Sequence, residues 1–415
     1  MKETLNHPYF LNIPHPSEES FPKILPEVIN SLSQCREGAM KPLIVYNEAL
    51  HGDFIRKTHL LEYLTKEEGR KFQNSPYVGI FSSGSTGKFK LIFHRWDSLE
   101  KSAKVSSEII IKSHQSFFNA NDLNRHELHT TLPLFHMGGL LCLLRQELGT
   151  FNVNFHRQLP FNLISEGDTV IGVPAQLHTI LTRHMGKKFT FYAGGDRPSP
   201  ELLIEARKQK INVIPTYGLT ESCGAIMFSD SKDKNHSFPD VSLKININKR
   251  LCFKTERQAK VVLSFTQKWE EITLSLIDKE GFFQTADIAT LDKSELNQEE
   301  HIQILGRNDQ IFICGGENIH PEVIVEKSKK LLKKNNFSFQ ELKVLGMPDE
   351  RLGKTVVLFI QLEKVETLGA IKEMLEKHFK GPDRPRHIIS YPSFKGIKPS
   401  YQEFLRQFER KKGLS

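Results

Sequence analysis

Short apolar runs alternate with segments of helical period through the middle of the chain, and this alternation constrains the fold most. HTTLPLF is followed by GGLLCLLRQEL, TVIGVP by AQLHTILTRHM, and FTFYAGG by SPELLIEARKQKI. Strands that alternate with helices in this way are typical of parallel βαβ units. Ligands of such sheets bind at the carboxyl ends of the strands, where the Gly-containing turns of this sequence lie.

The pattern changes twice after the βαβ region. From about Ser242 to Leu276 the strands alternate, with KVVLSF and EITLSLI among them, and predict a β-rich subdomain. Roughly the first 75 residues look polar and irregular, apart from a helical stretch around FPKILPEVINSLSQC. After ILGRNDQIFICGG the composition becomes basic and α+β. We therefore predict an α/β fold with two parts, a large domain of parallel βαβ sheets and a β-rich subdomain (residues 1–308) and a small α+β domain (309–415).

Size and charge restrict the functions that the chain can have. Its 415 residues are too many for one ordinary core, which supports two or more domains. The net charge of +8 suits anionic ligands such as nucleotides or coenzyme A, and in principle nucleic acid or an acidic membrane surface. Basic clusters such as Lys327–Lys334 are short and typical of a solvated helix face. Because there is no aromatic–basic platform, we expect no nucleic acid partner.

The cysteines and the chain's hydropathy indicate a compartment. Five cysteines, an odd number with no CxxC pair, fit free thiols in a reducing cytosol. The first twenty residues lack the apolar core of a signal peptide, and no run of 18 apolar residues predicts a membrane span. We expect a cytoplasmic protein with no membrane span, and the sequence does not indicate its oligomeric state.

The stretch GIFSSGSTGKFKLIFH, from Gly79 to His94, has the composition of a phosphate-binding loop. It is not the P-loop of nucleoside triphosphatases, because Ser82 stands where the first Gly is required. Phe89 also follows Lys88, where that motif needs a Ser or Thr for magnesium. On its own the loop is a weak signal, since most Ser/Gly-rich turns are structural.

An ordered set of motifs follows the loop and gives it a context. LPLFHMGG, YAGGD, YGLTES, TADI, GRNDQIFICGGENIHPE and GIKPS occur in that order. From Tyr77 to the C-terminus the chain resembles the adenylate-forming superfamily of acyl-CoA synthetases, peptide-synthetase adenylation domains and luciferases. Within it, the bacterial o-succinylbenzoate–CoA ligases are the most similar group. That likeness depends on the KLIFH spacing, on Arg145 nine residues after His136, and on the GIK ending.

The resemblance implies a reaction in two halves. A carboxylate attacks the α-phosphorus of ATP to give an acyl-adenylate and pyrophosphate, and the thiol of coenzyme A then displaces AMP. ATP, Mg²⁺, coenzyme A and a small aryl or acyl acid are the implied ligands. No covalent enzyme intermediate is needed, so positioning and charge neutralisation would supply the catalysis.

The resemblance also implies roles for the motif residues. The β- and γ-phosphates would lie in the loop formed by Ser82, Ser83, Gly84, Ser85, Thr86 and Gly87, with Lys90 at the family's loop-lysine position. Phe89 and Leu91 replace the family's usual Pro and Gly there. Around the nucleoside, the expected contacts are Gly194 and Gly195 at the adenine-side wall, Tyr217 against adenine, Asp287 on the ribose diol, and Arg307 on ribose or phosphate. Thr220 would contact the α-phosphate, and Glu221 would hold Mg²⁺.

Other implied roles concern the acid and the small domain. His136 would gate the acyl pocket, although a buried structural His explains such a position in most proteins. Arg145 could contact the acid or only bond locally, and the segment Val173–Leu177 could line the acyl pocket or only begin a core helix. Lys398 is the implied adenylation lysine, with Lys395 as a rival. Asp309 would be the hinge about which a mobile small domain turns, bringing GGENIHPE to the active site.

One departure and several alternatives remain at this stage. Only about 80 residues precede the loop, whereas the family has well over a hundred, so we expect a shortened N-terminal subdomain. The acid could be another aryl or acyl acid, or the acceptor a carrier-protein phosphopantetheine. A non-catalytic nucleotide-binding relative is the third alternative, which Glu221, Asp287, Arg307 and Lys398 argue against.

Overall fold

The structure is a computed structural model. It describes residues 10–14, 21–37, 42–65, 76–83, 89–118, 127–159, 161–183, 185–265, 268–293, 300–307, 312–314, 317–319, 321–349, 352–362, 367–379, 381–391 and 401–412.

The first sheet is mixed and contains the strands on both sides of the Ser/Gly loop. Its order is β1-β2-β3-β4-β14-β15. The strands are β1 (Phe10–Asn12), β2 (Leu43–Tyr46), β3 (Tyr77–Ser83), β4 (Phe89–Arg95), β14 (Val261–Phe265) and β15 (Trp269–Glu271). The first three are parallel, whereas the pairs β3–β4, β4–β14 and β14–β15 are antiparallel. The helices α1 (Phe21–Arg36), α2 (Asp53–Lys57) and α3 (Leu60–Thr65) and a π-helical turn (Glu48–Gly52) connect its strands.

The second sheet is the βαβ sheet that the sequence predicts. Its order is β11-β10-β9-β8-β7-β5-β6, and the five strands from β9 to β6 are parallel. The strands are β5 (Glu127–Thr130), β6 (Asn152–Phe155), β7 (Thr169–Gly172), β8 (Thr190–Ala193), β9 (Asn212–Leu219), β10 (Gly224–Ser229) and β11 (Asn235–Ser237). The helices are α4 (Trp96–Phe118), α5 (Met137–Glu147), α6 (Pro174–Thr182) and α7 (Pro200–Lys208).

A third sheet and a small C-terminal α/β region complete the fold. The third sheet is antiparallel, with β12 (Ser242–Ile245), β13 (Arg250–Lys254), β16 (Phe283–Lys293) and β17 (Glu300–Arg307) in that order. The C-terminal region pairs β18 (Phe312–Cys314) with β19 (Glu317–Ile319) and forms a sheet of β20 (Phe339–Asp349), β21 (Gly353–Leu362) and β22 (His387–Ser390). Its helices are α9 (Pro321–Lys334), α10 (Leu368–His378) and α11 (Tyr401–Lys412), with a 3₁₀ turn at Gly381–Asp383.

The predicted fold class is confirmed, with parallel βαβ units, a β-rich part and a small C-terminal α/β region. Hydrophobic clusters fill the layers between the sheets and helices, and the C-terminal region has a cluster of its own around Ile360 and Leu375. No helix among the described residues is long and apolar enough to cross a membrane.

Two local predictions are wrong. EITLSLI is not a strand: only its first residue belongs to β15, and Thr273–Leu276 form the short helix α8. The Thr273 hydroxyl there accepts the N–H of Val262 at 2.8 Å and so replaces a strand carbonyl at the end of the ladder, while Leu274 is exposed. The N-terminal part is also less irregular than predicted, because β1 and β2 extend the first sheet from β3.

Candidate nucleotide-binding site

The hairpin β3–β4 positions the start and the lysine of the Ser/Gly loop. Ser82 is paired with Lys90, and Val78 with His94, in the antiparallel ladder. Since side chains alternate along a strand, Lys90 and His94 lie on the same face of β4, and Ser82 lies on that face of β3. Both Ser82 and Lys90 are half-buried. The hairpin therefore presents one serine, one lysine and one histidine to the same side of the first sheet.

The turn between β9 and β10 contains Thr220 and Glu221, and it faces this side of the hairpin. The Nε2 atom of His94 lies 2.7 Å from the carbonyl oxygen of Thr220, which also accepts the N–H of Cys223 at 3.0 Å. The carbonyl of Glu221 accepts the N–H of Ala259 at 2.7 Å. Backbone bonds therefore fix the turn, while the side chains of Thr220 and Glu221 remain half-buried.

His94 is completely buried, and burial lowers its pKa to about 4. The imidazole is therefore neutral at physiological pH. A carbonyl oxygen only accepts hydrogen bonds, so Nε2 must carry the proton that is donated to Thr220. This bond joins the first sheet to the second at the place where the two motifs meet.

A second hydrogen bond joins the second sheet to the third. The hydroxyl of Tyr217, in β9, donates to Oδ2 of Asp287, in β16, at 2.6 Å. Asp287 is buried, and its own N–H donates to the hydroxyl of Thr285 at 3.0 Å. The structure thus brings together the residue predicted to lie against adenine and the residue predicted to bind the ribose diol. Arg307 is the register partner of Asp287 in β17, although its side chain lies outside the described residues.

The glycines of YAGGD follow β8 at the carboxyl edge of the second sheet. The N–H of Gly194 donates to Gly172 at 2.9 Å, and the hydroxyl of Thr216 donates to the carbonyl of Ala193 at 2.8 Å. Gly195 has a φ of +78°, a conformation that L-residues with a side chain rarely adopt. The turn therefore begins beside β9, where Ala193 pairs with Pro215, two residues before Tyr217. This is the edge where ligands of parallel sheets bind.

His136 lies at the N-terminus of α5 and is exposed, so it is not a satisfied core histidine. The sequence does not single out its neighbour His51, which is buried and stacks on Phe81 with ring centroids 4.8 Å apart. Burial, and then the charge of His136, lower the pKa of His51 to about 4. His51 belongs to the π-helical turn, an element that is frequent at functional sites. No local sequence pattern predicts that turn, which is a feature of the folded backbone.

Arg145 is the second residue whose role the sequence leaves open. It is buried within α5, and its Nη2 donates to the hydroxyl of Ser106 at 2.6 Å. Among the described residues no carboxylate lies within salt-bridge distance of its guanidinium, in contrast to the local ion pair that the sequence suggests. The charge of Arg145 still acts on its surroundings, since it opposes the effect of burial on the pKa of Tyr192, which burial raises to about 12.

Arg257 supports the site, and sequence reasoning missed it. Its guanidinium is buried and bidentate on Asp240, with Nε–Oδ2 at 2.7 Å and Nη2–Oδ1 at 3.1 Å. Both Nη atoms donate to the carbonyl of Ala225 at 3.2 Å, and Nη1 also donates to the hydroxyl of Ser102 at 3.2 Å. Arg257, held by Asp240, thereby ties Ser102 in α4 to Ala225 at the start of β10, which follows the Thr220–Glu221 turn.

Part of the predicted site lies outside the described residues. These are Gly84, Ser85, Thr86, Gly87, Lys395, Lys398 and Asp309, together with the side chain of Ser83. Of GGENIHPE, the structure describes β19 and the start of α9.

The described residues fit magnesium only in company with phosphate oxygens. No group of three His, Cys, Asp or Glu side chains among them could hold a metal ion, so no all-protein cage is present in that part of the chain. Magnesium is commonly bound by one or two carboxylates plus substrate phosphates. Glu221, half-buried on a turn whose Thr220 carbonyl accepts from His94, suits such a mixed site.

Hydrogen bonds between three sheets bring together the β3–β4 hairpin, the Thr220–Glu221 turn and the Tyr217–Asp287 pair in this α/β protein. Residues 23–249 match the family model described as AMP-binding enzyme, which is more than half of the chain. The chain belongs to this family and is an enzyme, an AMP-forming acid–thiol ligase.

Known proteins of this class are similar over most of the chain. The 2-succinylbenzoate–CoA ligase of Enterococcus faecalis is 24% identical over 82% of this chain and 70% of its own length. The indoleacetate–CoA ligase of Aromatoleum aromaticum is 26% identical over 79% of this chain and 67% of its own. The o-succinylbenzoate coenzyme A synthetase of Bacillus subtilis, solved with ATP and magnesium, has a TM-score of 0.58 at 20% identity, covering 76% of this chain and 66% of that one. This last likeness shows the fold alone.

Proposed function

We propose that this enzyme is an ATP-dependent acid–CoA ligase that forms an acyl-adenylate and then an acyl-CoA thioester, with o-succinylbenzoate as its acid. The observation that supports this most is the pair of bonds His94–Thr220 and Tyr217–Asp287, which assembles motifs from three sheets into one site. The o-succinylbenzoate ligase of Enterococcus faecalis, similar over most of the chain, supports the choice of acid. Such an enzyme would serve menaquinone biosynthesis in the cytoplasm.

The nucleoside of ATP would lie between Gly194–Gly195 and Tyr217. Asp287 accepts from Tyr217 with Oδ2, and as an ionised carboxylate with about four lone-pair sites it would also accept from the ribose hydroxyls. Arg307, the ladder partner of Asp287, would add a positive charge beside the ribose or the phosphates.

The triphosphate would extend from this nucleoside toward the hairpin of Ser82 and Lys90, passing Thr220. Magnesium bound with ATP would neutralise charge on the phosphates, and Glu221 would be its protein ligand. The backbone bonds of the turn hold Thr220 and Glu221 in place before ATP arrives. Such preorganisation avoids a reorganisation cost during the reaction.

The acid would enter on the side of His136. Its carboxylate oxygen attacks the α-phosphorus, the bond to pyrophosphate breaks, and Lys398 would neutralise the charge that grows on the reacting oxygens. Arg145 has no carboxylate partner among the described residues, so its field favours an acid with a second negative charge. o-Succinylbenzoate has two carboxylates and meets that condition.

The second half-reaction would use the small domain, which we take to begin at Asp309. Rotation there would withdraw Lys398 and bring GGENIHPE to the adenylate, so that the thiol of coenzyme A attacks the acyl carbon and AMP leaves.

A second candidate is a ligase for another aryl acid. The indoleacetate–CoA ligase of Aromatoleum aromaticum is as similar to this chain as the o-succinylbenzoate ligase is, which supports an aromatic acid more strongly than it supports one particular acid.

Acid-dependent exchange of pyrophosphate into ATP tests the proposal. The acids to compare are o-succinylbenzoate, benzoate, indoleacetate and a long-chain fatty acid. We expect o-succinylbenzoate to exceed benzoate by about tenfold or more in kcat/KM, since a wrong acid leaves buried polar groups unpaired at roughly 1–3 kcal/mol. Equal rates with benzoate would exclude o-succinylbenzoate, and indoleacetate as the best acid would select the second candidate.

The metal ligand can be tested with a matched pair of variants. Glu221→Gln should raise the magnesium concentration needed for half-maximal exchange. Glu256→Gln is the control, because Glu256 is an exposed side chain that pairs with Lys101. Should Glu221→Gln titrate with magnesium like the control, Glu221 is not the ligand. Exchange with none of the acids, from protein that binds ATP, would refute the ligase function itself.

A further inference from the structure

The side chain of His94 makes a direct hydrogen bond between strand β4 and the Thr220–Glu221 turn. Backbone bonds connect the two through a third segment: Ala259 donates to the carbonyl of Glu221 at 2.7 Å, and Lys260 donates to the carbonyl of Phe93 at 3.0 Å. A backbone connection can be made by almost any residue type. The bond from His94 depends on a donor of one length, placed at one position.

The position of His94 relates it to the phosphate side of the site and not to the nucleoside side. It shares a face of β4 with Lys90, and Ser82 lies on the same face of the neighbouring strand β3. Its partner Thr220 directly precedes Glu221 in the turn. The nucleoside residues Gly195, Tyr217 and Asp287 are held by other bonds, within the second sheet and between the second and third sheets.

We propose that His94 is a positioning residue that sets the Thr220–Glu221 turn against the Ser82–Lys90 hairpin, so that the two halves of the triphosphate-magnesium site stand in register. This inference depends on the proposed function for the identity of the ligand. Loss of the donor would let the turn shift relative to the hairpin, and it would weaken contacts to the triphosphate and its magnesium while leaving contacts to the nucleoside intact.

Variants of His94 with amide side chains of two lengths distinguish a role as hydrogen-bond donor from a role in filling space. In His94→Gln the amide nitrogen extends about as far as Nε2 and can donate to Thr220. In His94→Asn the amide is too short to reach it. His94→Leu fills a similar volume with no donor.

The matched control is His114→Leu. His114 is also a buried histidine, and its Nδ1 lies 3.2 Å from the hydroxyl of Thr190, between α4 and β8. This substitution should destabilise the protein to a comparable extent, without weakening MgATP binding more than adenosine binding.

Calorimetric titration of the full-length protein with MgATP and with adenosine is the test, and thermal unfolding reports the fold of each variant. We expect His94→Asn and His94→Leu to bind MgATP about five- to tenfold more weakly than wild type, as loss of one net hydrogen bond predicts. Adenosine affinity should change less than twofold. His94→Gln should restore MgATP affinity to within about threefold of wild type.

Four outcomes would overturn the inference. If folded His94→Asn binds MgATP like wild type, or if His94→Gln binds as poorly as His94→Asn, the donor has no role. Equal losses for MgATP and adenosine, or the same selective loss in His114→Leu, would mean a structural role only. If the Leu variant does not fold, the Gln and Asn pair still decides. Absence of pyrophosphate exchange with every acid refutes the proposed function without affecting these binding measurements.

Discussion

The buried ion pair between Arg257 and Asp240 leads to the most quantitative prediction. Asp240 provides the only carboxylate on this guanidinium within the part of the chain that the structure describes, through two bonds of 2.7 and 3.1 Å. Asp240→Ala would leave a buried positive charge with only Ala225 and Ser102 as acceptors. Breaking one side of a buried pair costs about 3–5 kcal/mol.

The same perturbation predicts a shift in the melting temperature. Unfolding entropy is about 2.1 cal/mol/K per residue, so a cooperative unit of about 300 residues has about 0.6 kcal/mol/K. A loss of about 3–5 kcal/mol then lowers the melting temperature by roughly 5–8 °C. Scanning calorimetry of wild type and Asp240→Ala measures this shift directly.

A double variant tests whether the loss comes from the uncompensated charge. Arg257→Met with Asp240→Leu removes both charges and keeps most of the apolar volume, and replacements of this kind are often neutral or stabilising. We expect the double variant to be more stable than Asp240→Ala. Additive losses from the two single substitutions would refute the reasoning, because they would mean that the two groups contribute independently.

Two further predictions concern the catalytic lysine and the thiols. Lys398→Ala should slow adenylate formation by about 10²–10³, the usual loss for one electrostatic contact to a transition state, and leave thioester formation from synthetic acyl-adenylate nearly unchanged. Asp309→Pro should instead slow mainly thioester formation. An equal effect of Lys398→Ala on both steps would mean that Lys395, or no lysine, is the catalyst. All five cysteines are buried, so a thiol reagent should label the native protein slowly and label five thiols only after denaturation; rapid labelling of the native protein would contradict their burial.

The parts of the fold that follow from local periodicity could be predicted from the sequence. The strands and helices from β5 to β9 lie where the apolar runs and helical periods indicate, and their carboxyl-edge turns contain Gly195 and Thr220. Local pattern was misleading at Thr273, where alternating apolar residues continue but the hydroxyl ends the ladder and a helical turn begins. Over so few residues, the same pattern of apolar residues fits both a strand and a helical turn.

Contacts between distant segments could not be predicted. His94 and Thr220 are 126 positions apart, and their contact depends on how the first and second sheets pack. Arg257 and Asp240 lie in a region of ordinary composition, where nothing in the sequence distinguishes a buried pair from two solvated charges. Motif likeness names the residues of a site, whereas the side chains that hold those motifs against one another appear only in the folded structure.

The two buried histidines beside the site predict how stability depends on pH. His51 and His94 are almost completely buried, and burial lowers the pKa of each from 6.5 to about 4. In the unfolded chain these groups bind protons as the pH falls through 6.5, whereas in the folded protein they do not until about pH 4. The contribution of these two histidines to stability is therefore fully present above pH 6.5, decreases as the pH falls from 6.5 to 4, and is absent below about pH 4.

A shift of about 2.5 units corresponds to about 3 kcal/mol for each histidine, since one unit is about 1.4 kcal/mol. Urea unfolding at a series of pH values should show this loss in the wild-type protein. His51→Gln and His94→Gln should each reduce this loss by about 3 kcal/mol, because a variant side chain that does not titrate binds no proton in either state. His59→Asn is the control, since the side chain of His59 is 77% exposed. Curves for His51→Gln and His94→Gln that run parallel to wild type would mean that these imidazoles titrate alike in the folded and unfolded states, which would contradict a lowered pKa in the folded protein.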